Sequence, residues 1–242
     1  MASFVLIHGA FHGGWCFDPV ADMLRARGHA VVAPDLPGMG GDEAALRAAT
    51  LDGWAQFTLE HCRRLREEGG GPVILVGHSR GGLVISAAAE ADPGAMDHLA
   101  YICALLVPEA DRLAELGALM PAHPELAAAG SLVGNGAGSV IDPEVGVRYF
   151  GQNVPPEHAA AARRLVAEPI GPISTPLMVT AERWGSVPRT YLECLQDRTM
   201  PIDRQRAMVA LSPGTAVETL DSDHSPFYSM PGALADALER LA

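Results

Sequence analysis

The stretch GPVILVGHSRGG, Gly71 to Gly82, decides the fold class. Its first half is a short apolar run, mostly β-branched, bounded by glycine and proline. That reads as a buried strand. Its second half crowds glycines around Ser79 and then enters LVISAAAEADP, an apolar helical pattern stopped by Pro93. The segment is therefore a strand, a sharp turn with Ser79 at its apex, and a helix. Glycines suit such a turn, because the chain must reverse within a few residues and a Cβ beside the serine would meet a neighbouring strand or helix.

Working outward, the same alternation recurs. SFVLIH (3–8), HAVVAPD (29–35), LAYICALLVP (99–108), RTYLECL (189–195) and TAVETL (215–220) read as strands. Segments 18–28, 50–70, about 203–211 and 231–242 read as helices. Continuous rather than alternating apolar strands imply a mostly parallel sheet covered on both faces by helices. The stretch from about 109 to 188 breaks the rhythm, being rich in Ala, Pro and Gly. It reads as a mostly helical lid inserted into a single domain, with no strand before PLMVTA (176–181). GSLVGNGAGS (130–139) reads as a flexible lid loop. It lacks the spacing of a dinucleotide or phosphate loop.

Bulk properties narrow the function. At 242 residues, one α/β domain is long enough to bury its core unaided. Seventeen basic against 29 acidic residues leave a net charge of −12, which argues against nucleic acid and anionic membranes as partners. Cys16, Cys62, Cys103 and Cys194 form no CxxC pair. They read as free thiols of a reducing compartment, with two disulfides as the alternative. The N-terminus has no basic leader, and no apolar run reaches about 18 residues. A cytoplasmic location is the expectation.

Gly77-His78-Ser79-Arg80-Gly81 is G-x-S-x-G in the strand–turn–helix context that makes its serine a nucleophile. A serine hydroxyl needs a base, and the base needs an orienting acid; in this strand–turn–helix architecture their chain order is Ser, Asp/Glu, His. Two histidines lie beyond residue 130. His158 reads as a solvated residue at the start of a lid helix. His224, in DSDHSPF after the strand TAVETL, reads as the base. Asp197, just past the strand RTYLECL, is the expected acid. Among its competitors, Asp203 reads as a helix N-cap, and Asp221 and Asp223 lie too near His224 in the chain to reach its Nδ1. An oxyanion hole needs two convergent backbone N–H groups. By position these are Arg80 and, in the loop HGAFHGGW (8–15), Ala10. His8 and His12 in that loop read as hydrogen-bonding residues that fix it rather than as a metal pair. No metal or organic cofactor is expected.

Together FVLIHGAFHGGW (4–15), VVAPDLPGMG (31–40), VILVGHSRGG (73–82), VTAERWGSVPRTYLECLQD (179–197) and LDSDHSPFYSMP (220–231) resemble the α/β-hydrolase superfamily. More narrowly, the chain resembles its branch of plant-type methylesterases and hydroxynitrile lyases. The resemblance implies that Ser79, His224 and Asp197 are nucleophile, base and acid. It also implies that the Ala10 and Arg80 N–H groups form the oxyanion hole. The lyases carry a threonine after the first-loop histidine and a lysine after the catalytic histidine. Here those places hold Gly9 and Ser225, which implies the esterase side, with Gly9 leaving room for an acyl group and water. Cyanohydrin cleavage or other carbon–carbon bond chemistry, and a tailoring methylesterase or thioesterase, are the alternatives on the same scaffold. The Arg80 side chain is read either as structural or as facing a polar substrate. The expected partner is a small-molecule ester. Gly9, Phe11, Leu119, Met120, Leu132, Tyr149, Phe150 and Trp184 are candidates for its pocket, or else for ordinary lid packing. Family members often form dimers, so a homodimer is one assembly the resemblance allows.

Overall fold

The computed structural model describes residues 1–69, 71–109 and 123–242. Six parallel strands build the main sheet: β1 (Ser3–Ile7), β2 (Ala30–Val32), β3 (Val73–His78), β4 (His98–Ile102), β8 (Arg189–Cys194) and β9 (Thr215–Leu220). Their order is β2-β1-β3-β4-β8-β9. The expected parallel sheet is thus the observed one, and every residue of β1 and β3 is buried.

Strand periodicity of two explains the two cores. On one face, Val5, Ile7, Val73 and Leu75 meet Trp54, Leu59 and Cys62 of helix α1 (Leu51–Gly69) and Val84, Ile85 and Ala88 of helix α2 (Gly81–Ala91). On the other, Phe4, Leu6, Ile74 and Val76 meet Val20 and Leu24 of the helix Asp18–Ala26 and Leu234 and Leu238 of the helix Pro231–Glu239. All four cysteines are buried and free. Among the described residues no helix is long and apolar enough to cross a membrane.

The described part of the connection between β4 and β8, 123–188, holds more than the expected helices: beside short ones such as Pro124–Ala128 and Pro143–Phe150 it carries a second, antiparallel sheet of β5 (Gly130–Val133), β6 (Gly138–Ile141) and β7 (Glu168–Pro169). GSLVGNGAGS is a hairpin and not a flexible loop: Val133 pairs with Gly138, and Gly134 and Asn135 take φ of 58° and 50° at the turn. Successive left-handed residues match the right-handed twist of a hairpin, so the Gly-Asn pair is the sequence signal that marks it. PLMVTA forms no strand; Val179 is buried in the first core, and the Thr180 N–H donates to Glu90. Two backbone bonds tie the connection to the sheet's edge, from Val166 N–H to Phe11 C=O at 2.8 Å and from Gly40 N–H to Ala167 C=O at 2.7 Å.

The turn after β3 leaves no slack. A Cβ on Gly82 would sit 2.1 Å from the Leu105 carbonyl oxygen, whereas one on Gly232 meets nothing within 4 Å. Gly82→Ala is expected to lower the unfolding free energy by about 1–3 kcal/mol. Gly232→Ala should leave it unchanged or slightly raised. Urea denaturation of both variants measures the contrast, and equal stabilities would contradict this packing.

Candidate active site

Four loops at the carboxyl ends of parallel strands converge, which is where an open α/β sheet presents its ligand crevice. They follow β1, β3, β8 and β9.

The loop after β3 delivers Ser79 with φ 52°, a left-handed conformation that a non-glycine residue holds only when its surroundings force it. Here the Ser79 N–H donates to Ile102 C=O at 3.0 Å, and Ser79 C=O accepts from Leu105 N–H at 2.9 Å. Helix α2 begins right after Arg80, so its positive end faces the serine.

The loop after β9 carries His224, whose Nε2 lies 2.9 Å from Ser79 Oγ. Its Nδ1 lies 2.6 Å from Asp197 Oδ2, and both side chains are buried. Asp197 comes from the loop after β8. Its Oδ1 accepts from the backbone N–H groups of Thr199 and Met200 at 2.7 and 2.8 Å. The three residues expected to meet are therefore brought together in one line. The competing carboxylates lie elsewhere. Asp203 is not an N-cap; Pro201 takes that place, and Asp203 sits in the first turn of the helix Ile202–Leu211. Asp221 accepts from Gln196 at the surface. Asp223 is buried and braces the histidine loop, accepting from Asn153 N–H, Ser225 N–H and Ser229 Oγ.

The loop after β1 lies against the Ser79 turn. A Cβ on Gly9 would stand 2.8 Å from both Ser79 Cβ and His78 Nδ1. The glycine thus serves close backbone approach, and the expected spare room beside it is filled by the serine and His78. His8 Nδ1–H donates to Gly9 C=O, and His8 Nε2 accepts from Leu36 N–H. His12 Nδ1–H donates to Ala10 C=O at 2.7 Å. Both histidines fix the loop, as expected.

The Arg80 side chain resolves to the structural alternative. It is buried, its Nη1 is 2.6 Å from Glu168 Oε1, and its guanidinium lies over the Trp54 ring. Glu168 is a neighbour of the site that no motif in the sequence singles out, and the contacts of His78 and Asp223 are equally unannounced by the motifs that contain them. His78 Nε2–H donates to His224 C=O at 2.7 Å.

The pocket candidates divide. Phe11 and Leu132 line a cavity of about 470 Å³ together with His123, Leu126, Val140 and Ile141. Phe150 stacks on Phe11 and tilts against the His224 ring, centroids 6.4 and 5.9 Å away. Tyr149 instead packs its ring on His123 and donates its hydroxyl to Glu125. Trp184 is not a pocket residue: it is fully buried in the first core, stacked under Arg189 and donating to the Tyr101 hydroxyl. Leu119 and Met120 lie outside the described residues. His158 is half-buried rather than solvated, its ring stacked on Tyr228.

Among the described residues, one trio brings metal-binding atoms together: His78, Cys103 and His224, within 4.8 Å. Its donors other than His78 Nδ1 are already engaged. His224 Nδ1 holds Asp197, His78 Nε2–H holds a carbonyl, and burial pushes the Cys103 thiol up, away from the thiolate a metal prefers. The trio reads as packing beneath Ser79.

Burial, above all other causes, pulls His8 and His12 from the ordinary 6.5 to about 3 and about 4, and pulls His78 well below 6.5. The unfolded chain binds these protons near pH 6.5, while the folded chain binds those of His8 and His12 only near pH 3–4. Stability that is complete above pH 6.5 is therefore lost as pH falls toward the folded values. The slope reaches about 1.4 kcal/mol per pH unit for each such histidine. The urea midpoint is expected to drop between about pH 7 and about pH 5, with a shallower slope in His12→Gln. A midpoint that stays level across that range would contradict the burial of neutral imidazoles.

Comparison with known proteins places the chain in a family. The model of the alpha/beta hydrolase family matches residues 4–237. The chain is 31% identical to the esterase PIR7B of Oryza sativa subsp. japonica, over 99% of this chain and 95% of that protein. It is 32% identical to a putative chloroplastic methylesterase 14 of Arabidopsis thaliana, over 99% and 71% of the two chains. Among solved structures, a pyrethroid hydrolase from Sphingobium faniae JZ-2 superposes with a TM-score of 0.84 at 30% identity, covering 100% of this chain and 97% of that one. With family model, named relatives and fold in agreement, the chain belongs to the α/β-hydrolase family, in its methylesterase branch.

Proposed function

We propose that Ser79, His224 and Asp197 hydrolyse small-molecule carboxylic esters through an acyl-enzyme. The chain is a carboxylic ester hydrolase, as are the esterases and hydrolases it matches along nearly its whole length. The observation that carries the residue roles is the line Asp197–His224–Ser79, at 2.6 and 2.9 Å, built from three separate loops.

Ser79 Oγ attacks the ester carbonyl while His224 Nε2 takes its proton. The N–H groups of Ala10 and Arg80 hold the resulting oxyanion, and the positive end of helix α2 adds to that field. His224 then protonates the departing alcohol. Water, activated by the same imidazole, releases the acid and restores the serine. Asp197 holds Nδ1–H, which keeps Nε2 free to accept, and it balances the imidazolium charge. Its own geometry is held by Thr199 and Met200 N–H.

The cavity beside Phe11 supports an apolar substrate group. Its walls are mostly apolar, and Phe11 belongs to the same loop that presses on Ser79. In this reading the β4–β8 connection, including its described part 123–188, serves as a lid over the sheet edge within a single domain. Methyl esters of aromatic or branched acids suit such a space.

A panel of p-nitrophenyl acetate and methyl esters of aromatic acids tests the activity. Wild type is expected to turn over esters and leave mandelonitrile intact, since Ser225 stands where the lyases carry lysine. Ser79→Ala should abolish turnover. Asp197→Asn should lower kcat by about 10⁴-fold, with KM little changed. Mandelonitrile cleavage outpacing every ester, or full turnover by Ser79→Ala, would refute the proposal.

A further inference from the structure

We infer that the buried Arg80–Glu168 ion pair is a positioning device that holds the Ala10 and Arg80 N–H groups at the spacing an oxyanion needs, an inference that rests on the ester-hydrolase reading above. The two side chains are only 7% and 3% exposed, and their Nη1 and Oε1 atoms are 2.6 Å apart. Arg80 comes from the nucleophile turn, and Glu168 from β7 of the β4–β8 connection.

Each partner makes a second contact, and both land on the loop that carries Ala10. Arg80 Nη2–H donates to Gly9 C=O at 3.3 Å. Phe11 N–H donates to Glu168 Oε2 at 3.0 Å. Gly9 C=O and Ala10 N–H belong to one planar trans peptide, so they point in opposite directions. Holding the carbonyl from one side therefore aims the N–H at the other. His8 Nδ1–H, 2.9 Å from the same oxygen, adds a second hold. Donation to a carbonyl also polarises its peptide and strengthens the N–H as a donor.

On the far side of Ala10, Phe11 carries a left-handed φ of 60°, and its N–H is held by Glu168. The peptides on both sides of Ala10 are thus anchored to one ion pair. That pair is covalently continuous with the other N–H donor, through Arg80 itself.

A buried ion pair is weak evidence of a stabilising role. Burial acts against both charges, pushing the Glu168 carboxyl up and the Arg80 guanidinium down. A buried pair of this kind is commonly replaced by apolar side chains of similar volume without loss of stability. Geometry at the reacting carbonyl is what such a replacement would forfeit.

The test uses the full chain with Arg80→Met/Glu168→Met and, separately, Glu168→Gln, which keeps an acceptor for Phe11 N–H. The readouts are kcat and KM for p-nitrophenyl acetate, Ki for a methyl trifluoromethyl ketone, and Tm. The ketone probes the hole because its serine adduct carries the oxyanion. The double variant is expected to fold with a Tm lowered by a few degrees, since Phe11 N–H loses its acceptor, and to keep its KM within twofold. It should lose about tenfold or more in kcat and weaken ketone binding by a similar factor. Glu168→Gln should show the same pattern more weakly, and it decides the matter if the double variant does not fold. A wild type that turns over, with variants whose kcat and Ki stay within twofold, overturns the positioning role alone. So does a fall in kcat that only tracks the folded fraction while Ki is unchanged. A wild type that neither hydrolyses the ester nor binds the ketone overturns the role together with the reading beneath it.

Discussion

Ser79 is held in a left-handed backbone conformation, and the rest of the site is arranged around that strain. A φ of 52° at a serine costs about 1–3 kcal/mol. It persists because β4 and the segment beyond it grip the turn from both sides, through Ile102 C=O and Leu105 N–H. The turn in turn requires bare backbone around it, since a Cβ on Gly81 would lie 2.6 Å from Ile7 C=O. What the strain achieves is placement. The hydroxyl stands above the sheet edge, at the start of α2, within reach of loops from β1, β8 and β9.

The parallel sheet supplies the convergence. All six strands run one way, so the loops after β1, β3, β8 and β9 share one edge, although their residues span most of the chain, from Gly9 to His224. The histidine loop is made rigid from below. His78 and Cys103 both donate to the His224 carbonyl, and Asp223 binds three groups around it. Neutral, buried imidazoles at 8, 12 and 78 act as fixed hydrogen-bonding struts.

Much of this is legible in the sequence for a physical reason. A strand buried on both faces is a continuous apolar run, and a strained serine turn advertises itself through glycine. Chain order and the carboxyl-end rule then single out Asp197 and His224. What stays hidden depends on contacts between distant segments. Glu168 sits in a stretch without periodicity, and its role exists only where β7 meets the first loop. Trp184 reads as a pocket aromatic because sequence does not say which side of the sheet a loop residue enters. The hairpin at 130–141 hides behind a Gly-Asn turn that resembles flexibility, yet left-handed residues between short apolar runs mark a tight reversal.

At the centre of the proposed chemistry is one hydroxyl, activated through His224, as the only group of the chain that becomes covalently bound to substrate. Treatment of the intact protein with a fluorophosphonate, followed by peptide mass spectrometry, reads this directly. The expected result is a single adduct, on the peptide bearing Ser79, that disappears in His224→Ala. An unmodified protein, or an adduct on another residue, would contradict it.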